Sequence, residues 1–275
     1  MNPLKITKKT IGIMGAVLFL LLLFGNAPDA LAETTGICPL TEGKAYKYDL
    51  DGDGKKESVQ IKSGKKDDDR YYEAYIYIDG KRAVTAKEPY GFYSVDAQIL
   101  IMDEKNVFIY LTPYGDNDDG SKVIYQYKDG KLKKSIDLES LGRYANVEEV
   151  SKNKITMRIR RTWSAIGCFS YKCSLVCKNG KLEPETKTYA LYSYSPTQKT
   201  SKPYLTAKNN MQLYESHNTD KKTYVLKKGQ KVKITKYYFN GSIHMFQIKT
   251  KSGKKGWILA PNDYEELFEE AYGVG

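Results

Sequence analysis

The densest group of possible metal ligands in the chain lies in residues 49–57. Carboxylates occupy alternate positions there, glycines follow two of them, and a fourth acid ends the run. Calcium prefers oxygen ligands, and a loop that wraps several carboxylates around one ion needs glycine for its tight turns. The spacing therefore predicts a calcium site formed by the side chains of Asp49, Asp51, Asp53 and Glu57 and the carbonyl oxygen of Lys55.

The flanks of this acidic run distinguish it from an EF-hand. An EF-hand lies between helices and has a bidentate Glu at loop position twelve, whereas these flanks read as strands and that position is Gln60. The Asp-x-Asp-Gly-Asp-Gly pattern of the run instead resembles the calcium loops of FG-GAP and VCBS repeats. The resemblance implies a structural calcium ion held by a hairpin. A solvated acidic turn without metal is the alternative.

Two further acidic groups lie in longer loops, at residues 67–69 and 117–119. Because they are 50 residues apart, we expect Asp67, Asp68 and Asp69 to project from the same edge as Asp118 and Asp119. There they either share a cation or meet a basic partner, although solvated loop charge is the simpler explanation. The equivalent third loop is apolar and contains Trp163, which we expect to close the end of the domain; a binding surface is the alternative.

The sequence offers few residues for catalysis. Its two histidines, His217 and His244, have no cysteine or serine that the chain would plausibly bring near them. A hydrolase with paired carboxylates remains, for example Asp51 with an acid in residues 116–119, but such a site needs one desolvated acid. Acids in glycine-rich turns beside lysines favour ionised metal ligands. We therefore predict a non-catalytic binding protein, with a secreted cell-wall hydrolase as the alternative.

Three hairpin signals organise the part of the chain that must position these loops. Asp-Gly or Asn-Gly stands between alternating apolar and polar residues, and both residues of the pair tolerate the positive φ of a type I′ turn. The turn glycines are Gly80, Gly130 and Gly180, so the signal recurs every 50 residues. The recurrence indicates three copies of one structural unit.

Each unit repeats the same order of elements. A first strand (residues 45–50, 97–102 and 147–150) is followed by a second strand (58–61, 107–111 and 155–159), a longer loop and the hairpin. Four strands per unit predict an all-β domain over residues 33–195, with three four-stranded antiparallel units stacked or arranged as a partial propeller. A polar linker bracketed by prolines follows at residues 196–203.

The last part of the chain is predicted to form about five strands and then a short helix capped by Asn262. Apolar residues alternate around Leu226, Gly229 makes a turn, Val232 and Ile234 point to one side, and Trp257 precedes the end of the last strand. This pattern resembles a bacterial SH3 (SH3b) domain over about 60 residues. It departs from the family at residues 211–216, which lack the usual Asn-Val-Arg-x-Gly-Pro stretch, and at Met245, where tryptophan is common. The resemblance implies a small barrel with a docked terminal helix over residues 204–275.

The SH3b resemblance also implies a ligand, which is peptidoglycan or an anionic cell-wall polymer. The formal charge of +11 agrees, and residues 203–261 contain twelve lysines but only Glu215 and Asp220 as acids. Exposed aromatic side chains that stack on the ligand are predicted to be Tyr214, Tyr237, Tyr238 and Trp257. A place in the core or an ordinary strand position is the alternative for each of them. Nucleic acid is not predicted, because no recognised binding motif is present. A protein partner for the repeat domain stays open.

Residues 1–32 have the features of a signal peptide from a secreted protein of Gram-positive type. Lys5, Lys8 and Lys9 precede an apolar run over residues 11–25, and Ala30-Leu31-Ala32 supplies a small-x-small cleavage site. We expect cleavage after Ala32, which gives a secreted, cell-wall-associated chain without stable membrane insertion. An uncleaved N-terminal membrane anchor is the alternative.

Four cysteines follow this segment, namely Cys38, Cys168, Cys173 and Cys177. An even number in an exported protein permits two disulfides, and Cys38 is a candidate to tie the N-terminal segment to the third unit. Cys173 and Cys177 would lie about 13 Å apart along one strand, which is too far for direct pairing. Buried reduced thiols are an equal alternative, and the spacing fits no familiar zinc module.

Overall fold

A computed structural model describes residues 35–116, 120–142, 144–163, 165–195, 204–260 and 267–270. The signal segment 1–32, the linker 196–203 and the acidic residues 117–119 therefore lie outside the described residues, as does most of the predicted terminal helix. Within the described residues the protein is all-β, with 67% of them in strands and no helix. The prediction of an antiparallel all-β fold is thereby confirmed.

The first sheet precedes residue 93 and has five strands in the order β2-β3-β5-β4, with β6 paired to β5. Its strands are β2 (Ala45–Tyr48), β3 (Glu57–Ser63), β4 (Lys66–Asp67), β5 (Arg70–Ile78) and β6 (Lys81–Phe92). Buried and less buried residues alternate along β3 and β5, which is the pattern of strands with one face on a core.

The second sheet is formed by the next part of the chain together with the N-terminal strand. Its strands are β1 (Gly36–Leu40), β7 (Ser94–Asp103), β8 (Asn106–Tyr114), β9 (Val123–Lys128) and β10 (Lys131–Asp137), in the order β1-β7-β8-β9-β10. Seven consecutive residues of β8 are buried, so this strand is covered on both faces.

The third sheet contains eleven strands and runs to the end of the described chain. The strands before the linker are β11 (Tyr144–Ser151), β12 (Lys154–Trp163), β13 (Gly167–Lys178), β14 (Lys181–Pro184) and β15 (Thr188–Ser195). Those after it are β16 (Leu205–Thr206), β17 (Met211–Tyr214), β18 (Lys222–Leu226), β19 (Lys231–Phe239), β20 (His244–Thr250) and β21 (Lys255–Leu259). Their order is β11-β12-β13-β15-β19-β20-β21-β17-β18, with β14 on β13 and β16 on β19.

The three predicted hairpin turns connect β5 to β6, β9 to β10 and β13 to β14. Both central residues of each turn have positive φ, as a type I′ turn requires. The values are 50° and 74° for Asp79 and Gly80, 55° and 71° for Asp129 and Gly130, and 52° and 77° for Asn179 and Gly180. Strands also lie in each of the six first-strand and second-strand segments expected from the repeat, although β2 ends at Tyr48, two residues before the expected end of its segment.

The second sheet separates two apolar cores. On β7, Ile99 and Ile101 face the core shared with the first sheet, whereas Leu100 and Met102 face the core shared with the third sheet. The same division occurs on β8, where alternate side chains enter opposite cores. The three sheets are therefore layered, with the second sheet in the middle.

The strands on either side of the linker belong to one sheet and one core. Tyr189 of β15 pairs with Tyr237 of β19, and Phe169 and Tyr171 pack on Tyr237 with ring centroids 5.0 and 5.2 Å away. Within the described residues no sheet closes on itself, and the SH3-like barrel over residues 204–275 stays a prediction. Of the predicted terminal helix, only residues 267–270 are described, and there Phe268 forms an isolated bridge with Ala207.

Candidate functional site

The acidic run 49–57 connects β2 to β3 and is closed by its own first carboxylate. Asp49 Oδ1 accepts hydrogen bonds from the backbone N–H groups of Gly52 (2.8 Å) and Asp53 (3.2 Å), and its Oδ2 accepts one from Gly54 (2.9 Å). Gly52 and Gly54 have φ of 75° and 85°, a conformation that glycine adopts without strain. The alternation of acids and glycines thus folds the run back on itself.

Three of the four predicted carboxylates meet inside this loop. Oxygen atoms of Asp49, Asp51 and Glu57 all lie within 4.8 Å of one another. Glu57 is only 9% exposed, and its Oε2 accepts a hydrogen bond from the Leu50 N–H at 2.9 Å. Asp51 Oδ1 is buried and has no hydrogen-bond partner among the described residues. Three converging carboxylates, one of them with an unsatisfied oxygen, are a donor set suited to a hard cation.

Burial and electrostatic repulsion both act on Glu57. Burial raises the pKa of Glu57 above its ordinary value, and the charges of Asp51 and Asp53 raise it further, while the Leu50 N–H works in the opposite direction. A bound divalent cation would neutralise this repulsion and favour the ionised form of all three acids.

Asp53 does not join the cluster. Its Oδ1 accepts the backbone N–H of Lys55 at 2.7 Å, and its Oδ2 lies 3.6 Å from the Lys55 ammonium. Both side chains are on the exposed side of the turn. Asp53 therefore acts in the described conformation as a turn cap rather than as a member of the ligand set, and the Lys55 carbonyl stays a predicted ligand.

A cleft of about 730 Å³ adjoins the acidic loop. Its lining includes Asp49 from the first unit, Asp103 and Lys105 from the β7–β8 turn, and Lys152 from the β11–β12 turn. The contact is close, because a Cβ on Gly52 would lie 2.6 Å from the Glu104 carbonyl oxygen. The β2–β3, β7–β8 and β11–β12 turns thus meet at one cleft. The sequence analysis did not predict this meeting, although the 50-residue spacing of the hairpin signals pointed to it.

The carboxylates that a hydrolase would pair are kept apart. Gly52 contacts the turn before β8, whereas Asp116 follows the far end of that strand. The nine residues of β8 span about 27 Å, far beyond the 5–9.5 Å that separates paired catalytic carboxylates. Asp116 instead accepts hydrogen bonds from Tyr93 (2.9 Å) and Arg70 (2.6 Å), which lower its pKa.

The loop that contains the acidic residues 67–69 is compact. Asp68 and Asp69 have positive φ in the tight turn between β4 and β5, and Asp69 lies 3.1 Å from the Lys66 ammonium.

Trp163, from the apolar third loop, packs against the core that the second and third sheets share, and the centroid of its ring is 4.1 Å from that of His244. Trp163 therefore joins the third unit to β20.

The four predicted stacking residues divide between two sides of the third sheet. Tyr214, Tyr238 and Trp257 form a small cluster with Met245, and the ring of His217 stacks on Tyr238 at 4.0 Å. Tyr237 lies on the other side of the sheet, in the core that the second and third sheets share. The expectation of exposed rings is wrong for Tyr237, Tyr238 and Trp257, which are 0%, 8% and 5% exposed, because their strands pack against neighbouring elements on both faces.

No protein-family model, curated protein or solved structure matches this chain. The chemistry of its own residues therefore carries the functional assignment. Among the described residues, no helix has the length and apolar character needed to cross a membrane.

His244 is a half-buried packing residue. Its Nδ1 is 2.7 Å from the Tyr237 hydroxyl, and its ring stacks on Phe239 with centroids 4.5 Å apart. Burial, with a smaller effect of Arg161, lowers the pKa of His244 to about 4, so the ring is neutral at pH 7. His217 contacts the Thr188 hydroxyl at 3.3 Å and the Asn218 amide oxygen at 2.6 Å.

The four cysteines are free, so the disulfide hypothesis is not supported. The physical reason is the layering of the sheets: Cys38 packs in the core below the second sheet, whereas Cys173 and Cys177 pack in the core above it. Burial raises the pKa of Cys173 to about 12, which keeps this thiol protonated. The Cys177 thiol lies 3.3 Å from the Asn106 amide oxygen, and the Arg160 Nε lies 2.9 Å from Cys168 Sγ.

Proposed function

We propose that this chain is a secreted, non-catalytic binding protein whose C-terminal region attaches to anionic cell-wall polymers. The observation that carries the proposal is the charge of residues 203–261, which contain twelve lysines and two acids. Lys208 is partly buried, and the other eleven lysines are exposed. Such a field attracts a polyanion over roughly the Debye length, about 8 Å at physiological ionic strength.

The β-repeat region is proposed to display a calcium-stabilised loop. The convergence of Asp49, Asp51 and Glu57, with an unpaired buried oxygen on Asp51, supports calcium as a structural ion. Its role is to offset carboxylate repulsion and to hold the β2–β3 connection against the β7–β8 turn. A protein partner on this region is compatible with the same role.

The domain relationships form part of the proposal. The three four-strand meanders with equivalent hairpins support three copies of one FG-GAP/VCBS-like unit in a partial propeller-like stack. The strands after residue 203 are proposed to derive from an SH3b domain that shares a sheet with the third unit through the β15–β19 pairing.

A carboxylate hydrolase of the cell wall is the second candidate. The observation in its favour is that burial raises the pKa of Glu57, because an acid with a raised pKa is suited to general acid catalysis. Against it, neither Glu57 nor Asp51 lines the adjoining cleft of about 730 Å³, which takes only Asp49 from the three clustered acids. Binding is therefore preferred.

Co-sedimentation with purified bacterial cell walls tests the proposal. The sample is the chain from residue 33 onward, which includes every residue that the structure describes. We expect the protein to pellet with walls at low salt, to be released progressively by salt, and to leave no soluble wall fragments. A protein that stays in the supernatant at low salt, or that solubilises the walls, would contradict it.

A further inference from the structure

The outward face of β19, β20 and β21 carries a continuous row of lysines. Lys233 pairs directly with Lys249 across β19 and β20, and Lys249 pairs with Lys255 across β20 and β21. All three side chains are exposed, whereas the neighbouring Val232 and Ile248 are fully buried on the opposite face. Adjacent strands lie about 4.8 Å apart, so the row spans roughly 10 Å.

This lysine row is not neutralised by the protein itself. Within the described part of the chain, no carboxylate lies within 4.0 Å of the three ammonium groups, and the C-terminal ion pair found there joins Lys221 to Glu215 instead. Like charges directly opposite each other in a sheet are destabilising. A row of three such residues therefore has an electrostatic cost that an anionic ligand would remove.

The aromatic ring of Tyr204 lies beside the lysine row at its β19 end. The Lys233 and Lys251 ammonium groups lie 4.7 and 5.4 Å from the centroid of the Tyr204 ring. These cation–π contacts hold two lysines near one another on the same side of the sheet.

The choice of basic residue indicates the kind of anion. The sequence contains no arginine after Arg161, so every cation of this face is a lysine ammonium. Arginine suits fixed, bidentate recognition of one planar group, whereas lysine is a mobile point charge with no preferred ligand geometry. A row of lysines therefore suits a flexible chain that carries closely spaced anionic groups.

We propose that the outward face of β19–β21 is the docking surface for a linear, phosphate-rich polymer, with successive phosphates along Lys233, Lys249 and Lys255. This inference rests on the proposed function and specifies both the surface and the chemical class of its ligand. It assigns binding to the lysine row rather than to the net charge of the whole region.

The test compares two triple variants of the chain from residue 33 onward. One is K233Q/K249Q/K255Q, and the matched control is K222Q/K227Q/K228Q, which removes the same charge from exposed positions on and after β18. The probe is inorganic polyphosphate, with polyglutamate of similar length as the carboxylate arm. Affinity is measured by calorimetry at several salt concentrations.

We expect the row variant to bind polyphosphate about 5- to 150-fold more weakly, as three exposed charge contacts of about 0.3–1 kcal/mol each would give. The slope of its log K against log salt concentration should be shallower, by the amount that corresponds to about three lost charge contacts. The control variant should lose less affinity than the row variant at every salt concentration, and polyglutamate should bind more weakly than polyphosphate. Circular dichroism and melting temperature establish that both variants are folded.

Equal losses in the two variants would overturn the proposal, as would an unmodified chain that fails to bind polyphosphate or prefers polyglutamate. Wall co-sedimentation of the same proteins separates this failure from failure of the proposed function. If the unmodified chain and the row variant pellet equally with walls, the docking surface is wrong while wall binding stands. If the unmodified chain does not pellet, wall binding itself is wrong.

Discussion

Replacing Glu57 by glutamine should abolish a calcium-dependent gain in stability. Glutamine keeps an oxygen that can accept the Leu50 N–H, now 2.9 Å from Glu57 Oε2, but it removes one charge from the cluster with Asp49 and Asp51. The substitution therefore separates the role of the residue as a hydrogen-bond acceptor from its role as a metal ligand.

The size of the effect follows from linkage. Calcium sites of extracellular modules have Kd values of about 10⁻⁴–10⁻³ M, so about 10 mM calcium is roughly ten to a hundred times Kd. Binding to the folded state alone then adds about 1.4–2.7 kcal/mol to the free energy of unfolding. For a chain of this size that corresponds to a rise in Tm of about 3–10 °C. In Glu57→Gln the rise should fall to about 1 °C or less.

The pH dependence supplies a second readout. Burial and the neighbouring Asp51 charge raise the pKa of Glu57, so the folded chain holds this proton more tightly than the unfolded chain. Without calcium, the stabilisation from Glu57 is fully present below its unfolded pKa and is lost as pH rises through the folded pKa. Calcium should reverse this trend because it binds the ionised carboxylate. Glu57→Gln should show neither effect.

The assay is thermal unfolding of the native chain and the variant, with calcium and with a chelator, across pH 3–8. Glu57→Ala is the control for the hydrogen bond, because it leaves the buried Leu50 N–H unpaired and should cost about 1–3 kcal/mol with or without calcium. An equal rise in Tm with calcium for native chain and Glu57→Gln would refute the metal-site reasoning.

Four further substitutions test the packing around these sites. Gly52→Ala places a Cβ 2.6 Å from the Glu104 carbonyl oxygen and should lower the free energy of unfolding by at least about 2 kcal/mol, whereas Gly54→Ala, with no atom within 4 Å, should cost only about 1 kcal/mol in urea titrations. Tyr237→Phe removes the 2.7 Å partner of His244 Nδ1 and should cost about 1 kcal/mol in the same measurement. Burial lowers the pKa of His244 to about 4, so its contribution to stability is present above pH 6.5 and is lost as pH falls towards 4. His244→Gln should flatten this part of the curve of stability against pH. An unchanged slope would contradict the assignment.

The local elements of the fold could be predicted because their signals are local. Asp79-Gly80 and its two counterparts specify turns through their own backbone preferences, and the strands on either side alternate in burial. The acidic loop was equally accessible, since Asp49 closes it through neighbours three to five residues away. Both features depend on interactions within a few residues.

The arrangement of the sheets depends on long-range packing and was not predicted. Nothing near the linker indicated that β15 would pair with β19, because that pairing joins Tyr189 to Tyr237 across 48 residues. The apolar residues of β8 did contain a usable signal, as seven consecutive buried positions indicate a strand covered on both faces.

The predicted exposure of the aromatic site residues was wrong for a related reason. The sequence of a strand does not show whether the face that a tyrosine occupies is covered or open. Tyr237 and Tyr238 are neighbours that point to opposite sides. Only the positions of the third unit and of His217 decide that both rings are buried. The lysine row likewise required the register of β19, β20 and β21, which the sequence alone does not specify.

An NMR titration of the isotope-labelled chain from residue 33 onward with a soluble cell-wall polymer reports both where the polymer binds and whether it is degraded. We expect the amide shifts to concentrate in β19, β20 and β21 around Lys249, while the covalent structure of the polymer stays unchanged. Shifts centred on the acidic loop around Asp51, or new signals from cleaved polymer, would contradict it.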